Sequence, residues 1–115
     1  MWDVEYTDEF AAWWDTLSAE EQDSIGISVS ILQDKGPELG RPHVDSLKGS
    51  KFSNLKELRT QHQGRPFRTI FAFNPLRTAI LLIGGDKTGD QQFYRRIIPI
   101  AEQLYAAHLQ EIKGG

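Results

Sequence analysis

Trp2, Val4 and Tyr6 alternate with Asp3 and Glu5, the period of a strand with one face buried. Thr7 follows as an N-cap, with Asp8 and Glu9 in the first turn, where the helix dipole favours negative charge. Phe10, Trp13, Trp14 and Leu17 then share one helical face, so a short helix turns its aromatic side to the core. Ser18 and Glu21 have the spacing of a capping box that starts a second helix, and Gly36-Pro37 is a stop signal. Inside that span Ile25-Gly-Ile-Ser-Val-Ser-Ile31 alternates like a strand. The bracketing signals enclose a length typical of a helix, and helix is the prediction.

From Gly36 to Asn54 two prolines, three glycines and three serines occur with little periodicity, which predicts a long loop. Residues 55–61, 66–74 and 78–85 read as strands, separated by Gln63-Gly64 and by Asn74-Pro75-Leu76-Arg77, two tight-turn sequences. They form an antiparallel meander, which the N-terminal strand joins. From about Asp90 a helical period runs through Phe93, Ile97, Ala101, Leu104, His108 and Ile112, with Pro99 predicted to kink that helix or to start a second one. The class is α+β: an N-terminal strand and two helices, an antiparallel sheet, then a C-terminal helix.

The 115 residues amount to one domain, 1–115, with 39% hydrophobic and 25% charged residues, enough for a core. No apolar run approaches the length of a membrane span and the N-terminus lacks the character of a secretion signal, so no membrane association is predicted and the expected compartment is the cytoplasm. The absence of cysteine excludes disulfides, thiolate metal sites and cysteine nucleophiles. The net charge of −3 conceals an asymmetry: residues 1–40 carry −9 and residues 41–115 carry +6. Such a chain can offer a cationic surface to a polyanion.

A two-residue turn at Gln63-Gly64 sets the register of the first hairpin, with Arg59 across from Arg68 and Leu58 across from Thr69. Phe67, Phe71 and Phe73 share the core face with Leu58, while Ile70, Leu81 and Ile83 are expected on the face of the arginines. Like charges directly opposite destabilise a sheet. A helix covering part of that face would leave the arginines at a cleft edge suited to an anion, unless Glu57 and other carboxylates simply pair them. Gly84-Gly85-Asp86-Lys87-Thr88-Gly89 fails as a phosphate-binding P-loop, because Asp86 and Leu81 stand where that loop needs glycine. The glycines are expected to end a strand and leave Lys87 at the sheet margin. His43, His62 and His108 have no ligand spacing, so no metal is predicted. His108 reads as a packed helix residue and His62 as a turn residue.

Residues 47–59, Gly-Arg-Pro-Phe-Arg-Thr-Ile-Phe-Ala-Phe at 64–73, Gly-Gly-Asp-Lys-Thr-Gly at 84–89 and Phe-Tyr-Arg-Arg-Ile-Ile-Pro-Ile-Ala at 93–101 together resemble the HigB-like, phage-derived branch of the RelE/ParE toxin superfamily. The resemblance implies an α+β domain with a curved antiparallel sheet. It also implies the toxin of a type II toxin-antitoxin pair, partnered by a helix-turn-helix antitoxin. Such toxins cleave messenger RNA, often on the ribosome, by attack of a 2′-hydroxyl on its own 3′-phosphate, without metal or cofactor. Carried over by position, the basic site residues are Lys56, Arg59, Arg68 and Lys87, with Lys56 the candidate base and Tyr94 a stacking or proton-transfer residue. Arg65, Lys51 and Arg95 are the expected further substrate contacts. The alternative within the same fold is a non-catalytic toxin that binds a protein, as the gyrase-inhibiting ParE type does.

Overall fold

The computed structural model describes residues 1–114. Strand β1 (Asp3–Tyr6) leads into helix α1 (Asp8–Trp14) and helix α2 (Ala19–Lys35). The Thr7 side chain caps α1 at the Phe10 N–H, and Ser18 and Glu21 complete their capping box at the start of α2. The alternating segment is therefore helical throughout. A single 3-10 turn (Gly36–Glu38) precedes strand β2 (Val44–Ser46), and β3 (Lys56–His62), β4 (Arg65–Phe73) and β5 (Thr78–Asp86) form the meander. Helix α3 (Phe93–Gly114) closes the described chain.

Two expectations are corrected. The stretch 36–54 is not all loop: β2 pairs antiparallel with β3 and makes a fifth strand. No second helix starts at Pro99, which lies inside the single helix from Phe93. Strand β5 ends at Asp86, one residue past the expected end at Gly85, with Lys87 just beyond it.

The sheet order is β1-β5-β4-β3-β2, with β1 parallel to β5 and every other pair antiparallel. Gln63 (φ 50°) and Gly64 (φ 79°) turn the β3–β4 hairpin as a type I′ turn requires, and the register follows: Arg59 faces Arg68, and Leu58 faces Thr69. Helix α3 covers one face, where Ile70, Ala72, Ile80 and Leu82 meet Phe93, Ile97 and Ala101. Helices α1 and α2 cover the other, where Leu58 and Phe71 meet Phe10 and Leu32. Leu81 belongs to this second face, not to that of the arginines. The ladder shifts by one residue between Ile70 and Phe71, so Ile70 pairs with Ile83 but Phe71 with Leu81, and one extra residue reverses the side-chain parity of β5.

Candidate active site

On the α3 face, directly opposed residues carry like charge in two successive rows. Asp45 of β2 stands across from Glu57 of β3, and Arg59 of β3 across from Arg68 of β4. Either row alone would weaken the sheet. Offset by two residues, each row neutralises the other. Glu57, 4% exposed, is the centre. Its Oε2 accepts from Arg59 Nε at 3.0 Å, its Oε1 accepts from the Tyr94 hydroxyl at 2.6 Å, and Arg68 Nε lies 3.6 Å from Oε1. Asp45 Oδ2 binds Arg59 Nη2 at 3.3 Å and Arg41 Nη2 at 2.8 Å. The alternative read in the sequence, that carboxylates pair the arginines, is therefore what the structure displays.

The pairing is incomplete. Arg68 Nη1 donates to the Phe67 carbonyl at 3.0 Å, yet its buried Nε has no hydrogen-bond partner among the described residues. An orphaned guanidinium N–H costs free energy until an acceptor arrives. Beside this cluster lies a hollow of about 390 Å³, lined by Arg41, Asp45, Lys48, Glu57, Arg59 and Tyr94. Lys87 lies next to one of the lining residues, with Nζ 5.3 Å from the centre of the Tyr94 ring. Burial and the hydrogen bond to Glu57 hold the Tyr94 hydroxyl above its ordinary titration range, so at neutral pH it is a proton donor. The hydrogen bond from Arg41, with help from the Ser46 N–H and the Arg59 charge, holds Asp45 below the usual carboxylate range.

Of the residues expected from sequence, Arg59, Arg68, Lys87 and Tyr94 come together here. Lys56 does not: it faces Phe71 across the hairpin and so projects from the α1/α2 face, away from the arginines. Arg65 also lies on that face, over the Phe67 ring and tied to Glu21 and Asp86. Lys51 sits beside Glu102, which accepts its backbone N–H at 2.7 Å, two helical turns along α3 from Tyr94. Arg95 is exposed on the first turn of α3 and makes no ion pair among the described residues. Two acids central to the site, Glu57 and Asp45, had no role in the sequence reading beyond neutralisation. Asp45 lay inside the segment read as loop, and only the pairing of β2 with β3 brings it opposite Glu57.

His108 is buried and its Nε2 lies 3.0 Å from Asn74 Nδ2, a packed residue as expected. Among the described residues no group of three His, Asp or Glu side chains has the arrangement of a metal site.

Residues 12–106 match the family described as phage-derived protein Gp49-like (DUF891). Two proteins of Mycobacterium tuberculosis H37Rv that are named as toxins are similar in sequence. HigB2 is 38% identical over 92% of this chain, and HigB3 is 42% identical over 90%. The chain spans about half the length of HigB2 (54%) and 90% of HigB3. In fold it is similar to the crystal structure of the isolated E. coli RelE toxin, with a TM-score of 0.54 over 87% of this chain and 99% of that one, at 7% sequence identity.

Proposed function

We propose, since this chain belongs to the phage-derived Gp49-like family, that it is the toxin of a toxin-antitoxin pair and cleaves messenger RNA on the ribosome. The observation that carries this reading is the convergence of Arg59, Arg68 and Tyr94 on the buried Glu57 beside an open hollow. Cleavage of an RNA phosphodiester by its neighbouring 2′-hydroxyl forms a bond from that oxygen to phosphorus and breaks the bond to the 5′-oxygen. One proton must leave the 2′-oxygen and one must reach the 5′-oxygen. The phosphorane between them carries extra negative charge.

Each need has a group in or beside the hollow, which Glu57, Arg59 and Tyr94 line. Arg59 and the nearby Lys87 supply fixed cations, and Arg68, whose Nε makes no hydrogen bond among the described residues and lies 3.6 Å from Glu57 Oε1, adds a third. Glu57 is an acceptor already placed among them, and it takes the base role that the sequence reading gave to Lys56, whose side chain faces away. Tyr94, kept protonated, suits the leaving oxygen. The products are a 2′,3′-cyclic phosphate and a 5′-hydroxyl.

The test is a purified Arg68→Ala variant in a translating extract. It should fold, and cleavage should fall about 100-fold, the usual effect of removing one transition-state donor. Cleaved 3′ ends of the wild type should carry the cyclic phosphate. A folded Arg68→Ala protein that stays fully toxic while cutting no RNA would favour the alternative, a toxin that binds a protein. The antitoxin partner is expected to carry a helix-turn-helix domain, and the check is copurification with the product of the adjacent gene and rescue of growth. Because Glu57 and Asp45 already offset the arginines, an acidic antitoxin segment covering this cleft would have to displace them.

A further inference from the structure

A second hollow, of about 470 Å³, lies on the other side of Arg59, between α2 and the outer edge of β3. It exists because β2 is short. Its last rung joins Val44 to Leu58, so beyond Arg59 the outer edge of β3 has no strand beside it. Arg59 lines both hollows, and Arg68 lines this one too. Ile27, 64% exposed, and Ile31 form an apolar wall, while Ser28, Gln61 and His43 bring hydrogen-bonding groups to the rim. The alternating segment of α2 is thus only partly explained by the core: Ile25 is fully buried, whereas Ile27 and Ile31 face this space. Two ties from α2 to β3 bound the space, Ser24 Oγ to His62 Nδ1 at 2.7 Å and Thr60 Oγ1 to Ser28 Oγ at 2.8 Å.

We infer that the two hollows joined at Arg59 receive the nucleosides on either side of one RNA phosphodiester, and that the α2 hollow is a nucleobase site that sets sequence preference. The inference rests on the nuclease reading for its substrate class. A phosphodiester engaged by Arg59 necessarily projects a nucleoside to each side, and a hollow lies on each side. The α2 hollow combines an apolar wall, side-chain groups able to meet base edges and a guanidinium at its mouth, which is the chemistry of a single-stranded base site. Its size is that of a small-molecule pocket.

The probes are dinucleotides bearing a 2′-O-methyl group on the 5′ nucleoside, which cannot be cleaved, and dimethyl phosphate as the phosphodiester alone. Binding to the full chain is followed by NMR titration. The dinucleotides should bind about tenfold or more tightly than dimethyl phosphate, as expected for one base contact, and their affinities should vary with the identity of one base. Ile27→Ala and Gln61→Ala alter exposed side chains and should leave the fold intact by circular dichroism. Each should weaken dinucleotide binding about fivefold to tenfold and flatten the base preference, with dimethyl phosphate unaffected. Dinucleotides that bind no better than dimethyl phosphate, or variants that change neither affinity nor preference, would overturn the inference. RNA that binds with this preference but is never cut on translating ribosomes removes the nuclease reading and leaves the base site. Cleavage whose base preference ignores Ile27→Ala removes the base site and leaves the nuclease.

Discussion

Glu57 accepts from Arg59 and Tyr94 and faces the Arg68 guanidinium while almost wholly shielded from water, so its charge matters to the fold before it matters to any reaction. Replacing it by glutamine keeps the shape but leaves Arg68 and Arg59 without their shared counter-charge. Glu57→Gln should lose about 3 kcal/mol of stability in urea denaturation, the order found when one partner of a buried pair is removed. Tyr94 gives a second check. Its folded titration point lies above the ordinary value, so its contribution to stability is complete below about pH 10 and is lost as pH rises through the folded value. The difference in ultraviolet absorbance between the wild type and Tyr94→Phe should therefore show this phenol ionising later than free tyrosine. At this scale the facing of Arg59 and Arg68 was legible in full, because a two-residue turn leaves no freedom of register. The same register places Lys56 opposite Phe71, so its exclusion from the cleft was legible too. Resemblance by position pointed to Lys56; strand parity decides against it.

Elements were legible where their ends are signalled chemically. Both N-caps, the hairpin turn and the three strands of the meander stand within a residue or so of their expected places. Strand β2 escaped because three residues are too few to show a period, and its pairing is set by β3 rather than by its own pattern. The bulge in β5 escaped because Leu81 and Leu82 are equally apolar, so nothing in the residues says where parity breaks. The double glycine stands within a residue of the end of β5, as expected, but its packing role was not legible. A Cβ on Gly84 would lie 2.2 Å from the Trp13 ring of α1, and one on Gly85 would lie 2.7 Å from the Phe93 ring of α3. The pair lets an aromatic ring approach the strand from each face. Gly84→Ala should cost about 2 kcal/mol in urea denaturation, since Trp13 is backed by Phe10 and Phe67 and cannot simply move away. Gly26→Ala, in the interior of α2 with nothing within 4 Å, should instead stabilise by up to about 1 kcal/mol. Equal effects of the two substitutions would refute this account of β5.

Across the whole molecule the charge asymmetry becomes in part a spatial one. Asp3 and Glu5 lie on β1 at one edge of the sheet, whereas Arg41 and Lys48 gather at the β2 edge, four strand spacings or about 19 Å away, while the acidic α2 packs against β3. A chain of net charge −3 should therefore bind single-stranded RNA through a few local cations, not through its overall field. With about three phosphates engaged, log K should fall with log salt at a slope near −2. Arg41, whose side chain is 68% exposed and held only by Asp45 in the cluster, marks the outer limit of that footprint. Arg41→Ala should make the slope shallower by about 0.7, the share of one phosphate contact. Asp45→Asn should raise RNA affinity, because a carboxylate that neutralises Arg41 and Arg59 would be gone. Fluorescence anisotropy with an uncleavable RNA at several salt concentrations measures all three proteins. A wild-type slope near zero, or an Arg41→Ala slope equal to that of the wild type, would mean that the polyanion is held somewhere other than the β2 edge.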